Sequence, residues 1–172
     1  MLILLRLLQS LIRTLHSDGT PGQVAAGLTL GAALGLTPLL SPHNLVVISA
    51  IALLNVSVGG AVIGMLLFTP AGFLLDPVFD YLGAMLLGLP WLQGVWTAVY
   101  NTPILALSNF NNTIVLGSLV CWAILTLPIY LGSHAGVVRY RSTLGVKVRN
   151  SKYYKAMAAS RVMTVYRLLR PE

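Results

Sequence analysis

Charge is scarce in this chain, and scarcest where a water-soluble fold would need it. Only 9% of its 172 residues are Asp, Glu, Lys or Arg, against about 25% in soluble globular domains. From Gly19 to Val138 there is no Lys or Arg, and the only acids are Asp76 and Asp80. That excludes a disordered chain, which needs low hydrophobicity and high charge. It also argues against a soluble domain, because too little polar surface remains to cover a core. Cysteine is nearly absent. The single Cys121 cannot close an internal disulfide, and no His or carboxylate neighbours it in sequence to activate it. It reads as a buried, inert thiol. Catalytic signatures are missing too: there is no phosphate loop, no Ser-His-Asp order and no paired acids with a base and metal set. No catalytic residue, metal or cofactor is therefore assigned, and an enzyme is not expected. A dyad of His43 with Asp76 or Asp80 is required by nothing in their spacing.

What is present is apolar. Hydrophobic residues make up 56% of the chain and the mean hydropathy is +0.82. The net charge of +7 sits at the ends, because every Lys and Arg lies in residues 1–18 or 139–172. An apolar block between basic flanks is the pattern of a membrane domain with two wet ends. Three regions follow: an interfacial amphipathic helix over 1–18, a membrane domain over 19–138 and a basic cytoplasmic amphipathic tail over 139–172.

The charges of the first region argue against a signal peptide. Arg6 and Arg13 interrupt its apolar run at helical spacing, together with Gln9, Ser10 and Ser17. It fits a helix lying in the membrane interface with its Arg heads on lipid phosphates. The tail repeats the theme with Arg139, Arg141, Lys152 and Lys155 among its basic residues. These are read as contacts to anionic lipid, at roughly 1 kcal/mol each near the surface. A solvated tail that merely fixes topology is the plainer alternative. Nucleic acid is not the expected partner, because the tail directly follows a membrane segment. The positive-inside rule places both termini in the cytoplasm, so the number of full crossings should be even.

The block does not divide into ordinary spans of about 20 residues, because Pro, Gly and Asn recur too often. Thr20-Pro21-Gly22-Gln23 predicts a helix start with Thr20 as cap, Pro21 first and Gln23 completing a capping box. That helix runs to Leu36, and Gly27, Gly31 and Gly35 put a glycine stripe on one face, for helix packing or for a partner. Pro38 and Pro42 then stop one helix and start another, with Ser41 as the expected cap. Residues 21–40 and 44–55 predict a hairpin of half-helices that enters and leaves on one side, its tip carrying Ser41, His43 and Asn44. Val58 to Leu75 predicts a full span kinked at Pro70. Asp76-Pro77 predicts a fresh helix start leading into a second short pair, Tyr81–Leu89 and Leu92–Tyr100. Asn101-Thr102-Pro103 marks a further break at Pro103. Ile114 to Val138 predicts a second full span kinked at Pro128.

The halves also look alike. Leu30-Gly31-Ala32-Ala33-Leu34-Gly35-Leu36 resembles Leu82-Gly83-Ala84-Met85-Leu86-Leu87-Gly88, and Asn55-Val56-Ser57 resembles Asn112-Thr113. If each half is one broken hairpin plus one crossing, the repeats are inverted, as in many transporters. The expected architecture is therefore an all-α integral membrane protein. It has about two full transmembrane helices, two re-entrant hairpins in an inverted repeat, and amphipathic terminal helices.

Polar residues inside such a block are the candidate site. His43 reads as a headgroup-binding or proton-linked imidazole, or as a structural group bonding a carbonyl freed by the prolines. Intramembrane acids are functional candidates by default, although Asp76 before Pro77 is equally an ordinary cap. Asn101 and Asn112, with Asn109 and Asn111, would line either a polar cavity or a loop in water. The sequons at Asn55 and Asn111 are three-residue patterns that carry little weight by themselves. Trp91, Trp96, Tyr81 and Tyr100 suggest an interfacial belt.

The run Ser17-Asp18-Gly19-Thr20-Pro21-Gly22-Gln23-Val24-Ala25-Ala26-Gly27, then Gly35-Leu36-Thr37-Pro38-Leu39-Leu40-Ser41-Pro42-His43-Asn44, resembles a bacterial membrane family catalogued as domain of unknown function 2062. Leu75-Asp76-Pro77, the stretch from Leu92 to Pro103, and Phe110-Asn111-Asn112-Thr113 match a subfamily of about this size. The resemblance implies an inner-membrane protein of undefined activity that travels with a large companion envelope protein. The hairpin pattern is also similar to lipid-scramblase-like families with re-entrant loops. The expected function is a small inner-membrane subunit, within a larger complex, that handles lipid or another amphiphile along a path through Ser41, His43, Asn44, Asp76, Asp80, Asn101 and Asn112. The alternative is a structural anchor for a large envelope partner, docked on the glycine stripe; a homo-oligomer is compatible with either.

Overall fold

The computed structural model describes residues 19–144. Among the described residues all regular structure is helical. Helix α1 (Pro21–Leu36) is followed by α2 (His43–Leu53), the long α3 (Val58–Gly88), the short α4 (Gln93–Tyr100) and α5 (Pro103–Ala106), and the long α6 (Thr113–Arg139). A single 3-10 turn, Pro90–Leu92, leads into α4, and a π turn, Tyr140–Leu144, extends α6. Two helices are long and apolar enough to cross a membrane, one spanning Val58–Gly88 and one Thr113–Thr143.

Helix α1 begins where its first four residues dictate. The Thr20 hydroxyl accepts from the Gln23 backbone N–H at 3.3 Å, and the Gln23 side-chain oxygen accepts from the Thr20 N–H at 2.7 Å. The box satisfies two of the donors that every helix start leaves open. Pro21 at the first position needs no N–H partner.

The core is a backbone-level contact between α1 and the first half of α3. A Cβ on Gly27 would strike the Ser57 carbonyl, one on Gly31 the Ala61 carbonyl, and one on Gly35 the Met65 carbonyl. Gly60, Gly64 and Gly72 return the fit against Val24, Leu28 and Gly35. The contacts advance together along both helices, so α1 and α3 run parallel. The glycine stripe is consumed inside the chain, and the docking of a partner on Gly27, Gly31 and Gly35 is not available in this fold.

Parallel α1 and α3 require the chain to come back between them, and α2 does so. The Ser57 N–H donates to the Gln23 carbonyl at 3.0 Å. The α1–α2 hairpin thus ends at the level where it began. Helix α6 runs the other way: Ile114 stands beside the α1 C-terminus, and the Trp122 indole N–H donates to the Thr29 carbonyl at 2.9 Å. Arg141 donates to the Gly19 carbonyl at 2.9 Å, so the two ends of the described chain meet at one end of the bundle.

Three expectations fail here. Asp76-Pro77 does not start a helix: α3 is continuous from Val58 to Gly88 with Pro70 and Pro77 inside it, and α6 is continuous through Pro128. The reason is placement. Pro70 and Pro77 are two turns apart, both exposed, on the face opposite buried Gly64, Gly72, Phe79 and Gly83. Each removes one hydrogen bond on the outer face, while packing on the inner face carries the helix on past both. Tyr81–Leu89 is therefore the end of α3 and not one leg of a second hairpin. The inverted repeat fails with it. In the first half the leg α1 and the long helix run parallel. In the second, Gly83 packs on Thr113 and Gly117 on Phe79, so the corresponding pieces run antiparallel. Ser41 is not the cap of α2: Pro42 occupies that position and no side chain caps the helix.

Candidate functional site

The turn between α1 and α2 collects the polar residues of the first half. Pro38 lacks the N–H that would continue α1, and the Thr37 N–H closes the helix on the Ala33 carbonyl at 3.1 Å. The turn leaves carbonyls without helical partners. Asn44, only 3% exposed, supplies them. Its Nδ2 donates to the Pro38 carbonyl at 2.9 Å and the Leu39 carbonyl at 3.1 Å. Its Oδ1 lies 3.0 Å from the Thr37 hydroxyl, whose hydrogen is shared with the Ala33 carbonyl at 2.8 Å. Asn44 thus ties the turn to itself, the role foreseen for His43 as the alternative to binding.

His43 has a different environment. Both its ring nitrogens are buried and neither has a hydrogen-bond partner. A buried polar atom without a partner is uncommon and asks for an explanation. Ser41 is buried beside it, and its backbone continues the turn: the Ser41 N–H donates to Pro38 at 3.1 Å and its carbonyl accepts from Asn44 at 3.0 Å.

Against this turn lies a cleft of about 460 Å³. Its walls are the end of α1 and the turn (Gly35 to Leu40), Thr69, Gly72, Phe73 and Asp76 of α3, and Ile114 of α6. The lining is apolar except for the two threonines and Asp76. Thr37 is engaged as described, and the Thr69 hydroxyl donates to its own helix at Met65, 2.7 Å away. The Asp76 carboxylate is the one charged group of the wall. Leu39, Leu40 and Phe73 stand out at 58%, 100% and 75% exposure.

The remaining candidates separate. Asp80, one turn past Asp76, accepts a hydrogen bond from the Thr113 hydroxyl across the α3–α6 contact. Asn112 caps α6, its side-chain oxygen accepting from the Val115 N–H at 3.1 Å. Asn101 is exposed in the connection between α4 and α5. Arg139 and Arg141 stand at the end of the bundle where Gly19 begins it. Arg6, Arg13, Lys152 and Lys155 lie outside the described residues, as do the helix expected over 1–18 and all of the expected amphipathic tail beyond residue 144. No group of three or more His, Cys, Asp or Glu among the described residues is placed to hold a metal.

Sequence reasoning missed Thr37 and Phe73. Thr37 stands directly before Pro38, where a hydroxyl near freed carbonyls is a usable signal. Phe73 had none, since one more aromatic in an apolar run carries no mark.

Residues 5–143 match the family model described as an uncharacterized protein conserved in bacteria, domain of unknown function 2062. An uncharacterized protein of Treponema pallidum (strain Nichols) is 32% identical over 154 residues, covering 88% of this chain and 93% of that protein. No solved structure matches.

Proposed function

The chain belongs to the bacterial family of domain of unknown function 2062, and from that premise we propose that it is a small inner-membrane subunit that handles lipid or another amphiphile. The observation that carries the reading is the apolar cleft between the α1–α2 turn and α3, with a single carboxylate in its wall. Small-molecule sites are typically apolar clefts with a few convergent polar groups. An amphiphile has the matching division of polarity.

In this reading α3 and α6 cross the bilayer, and α1–α2 enters and leaves from one side. Helix α1 has 16 residues, about 24 Å at 1.5 Å per residue, short of the ~30 Å hydrocarbon core. Its non-helical turn therefore sits at depth, where backbone polar groups need protein partners. The Asn44 ties supply them. The meeting of Gly19 with Arg141 supports both basic ends lying on one face, which the positive-inside rule makes cytoplasmic. The exposed apolar side chains around α2 and α3 suit contact with lipid. The role is handling, not catalysis. A larger envelope partner belongs to the same proposal, and it would dock on a surface other than the glycine stripe.

The test is reconstitution of the full chain in proteoliposomes with a fluorescent lipid quenched from outside. Translocation above that of protein-free vesicles is expected. Rates equal to empty vesicles, with the protein folded by circular dichroism, overturn the reading.

A further inference from the structure

Among the residues that wall the cleft Asp76 is acidic and none is Lys or Arg. The basic end of α6 stands at the opposite end of the bundle, where Arg141 meets Gly19. Two further features point the same way. Helix α1 ends in this wall at Gly35 and Leu36, and a helix C-terminus carries about half a negative charge on its open carbonyls. Pro77 has no N–H for the carbonyl of Phe73, which lines the wall. The rest of the wall is apolar, and Leu39, Leu40 and Phe73 continue it outward.

Resting on the lipid-handling reading above, we propose that the occupant is a lipid whose headgroup ends in a primary ammonium. The ammonium lies at Asp76, and the acyl chains follow Leu39, Leu40 and Phe73. The chemistry selects it on two counts. An ammonium brings a positive charge that no wall residue supplies and three N–H donors, matching a carboxylate and the carbonyl left open by Pro77. The apolar lining has no use for a soluble amine but covers hydrocarbon, at about 25 cal/mol per Å² removed from water. An anionic headgroup meets like charge in the same place.

Native mass spectrometry of the delipidated full chain, given equal amounts of phosphatidylethanolamine, its N-acetylated derivative and phosphatidylglycerol, tests this. The N-acetyl lipid keeps the acyl chains and loses the positive charge. Retention of phosphatidylethanolamine about tenfold over both others is expected, equivalent to about 1.4 kcal/mol. Asp76→Asn should abolish the preference, and Asp76→Glu should restore it. Equal retention of the amine and N-acetyl lipids overturns the proposal, as does a preference that survives in a folded Asp76→Asn. Displacement of the lipid by free ethanolamine overturns the acyl-chain half. The lipid-handling reading fails separately, by absence of translocation in vesicles that contain phosphatidylethanolamine.

Discussion

Two connections in this protein are written in the same residues and built in opposite ways. The turn from Thr37 to Pro42 and the stretch from Leu89 to Asn112 are both punctuated by proline, and each has an asparagine at or beside the start of the next helix. In the first, Asn44 is buried and places three hydrogen-bonding contacts on the turn it terminates. In the second, Asn101, Asn109 and Asn111 are exposed, and Asn109 adopts a left-handed backbone with φ 59°. Only Asn112 acts on structure, as a cap. The difference lies in what the helices around each connection do. The first returns the chain beside the glycine-packed pair α1 and α3, where Asn44 is buried and gives the turn carbonyls their partners. The second projects past the end of the bundle. It is fixed by Trp96, stacked on Phe110 at 6.0 Å between ring centres and donating to the Leu86 carbonyl at 3.1 Å, and by Gln93, whose amide donates to the Leu87 carbonyl at 2.7 Å.

This contrast sets an order of effects. The largest belongs to Asn44→Ala. It removes the donors to Pro38 and Leu39 and the acceptor for Thr37, and a buried unsatisfied polar group costs about 1–3 kcal/mol. A loss of roughly 2–4 kcal/mol is expected by thermal unfolding of the purified chain in detergent. Next is Asn112→Ala, which deletes a cap at the start of α6 and should destabilise by about 1 kcal/mol in the same measurement. Smallest is Asn101→Ala, an exposed substitution expected to stay within about 0.5 kcal/mol. Should Asn101→Ala lower stability as much as Asn44→Ala, the distinction between a connection tied by a buried asparagine and one with exposed asparagines is broken.

The sequence made some of this legible at the level of local chemistry. The Thr20–Gln23 capping box and the extent of α1 follow from four residues and a periodic run. The glycine stripe announced a close approach, though not its target, because three glycines on one face state only that something touches there. Fusion of Val58–Leu75 with Tyr81–Leu89 into a single α3 was not legible. Proline is a local signal for a break, and the face opposite Pro70 and Pro77 overrides it only through contacts with α1 and α6. The candidate site was half legible. His43 and Asn44 stood out together beside the prolines, but their roles exchanged. The smaller, more directional amide reaches the turn carbonyls, and the imidazole is left without a partner. Asp76 was visible as a rare acid. Its cleft was not, because the wall joins residues from three helices that only the fold brings together.

The uncharged Leu89–Asn112 connection has a consequence for how such a protein is made. In the proposed orientation it is the segment carried to the far side of the bilayer. Moving one elementary charge through a membrane potential involves about 2.3 kcal/mol per 100 mV. The stretch holds no Asp, Glu, Lys or Arg, so the electric field neither helps nor hinders its passage. Any dependence of insertion on the potential then falls to Asp76 and Asp80 in the far half of α3, and an Asp76→Asn, Asp80→Asn chain should insert equally well in energised and de-energised membranes.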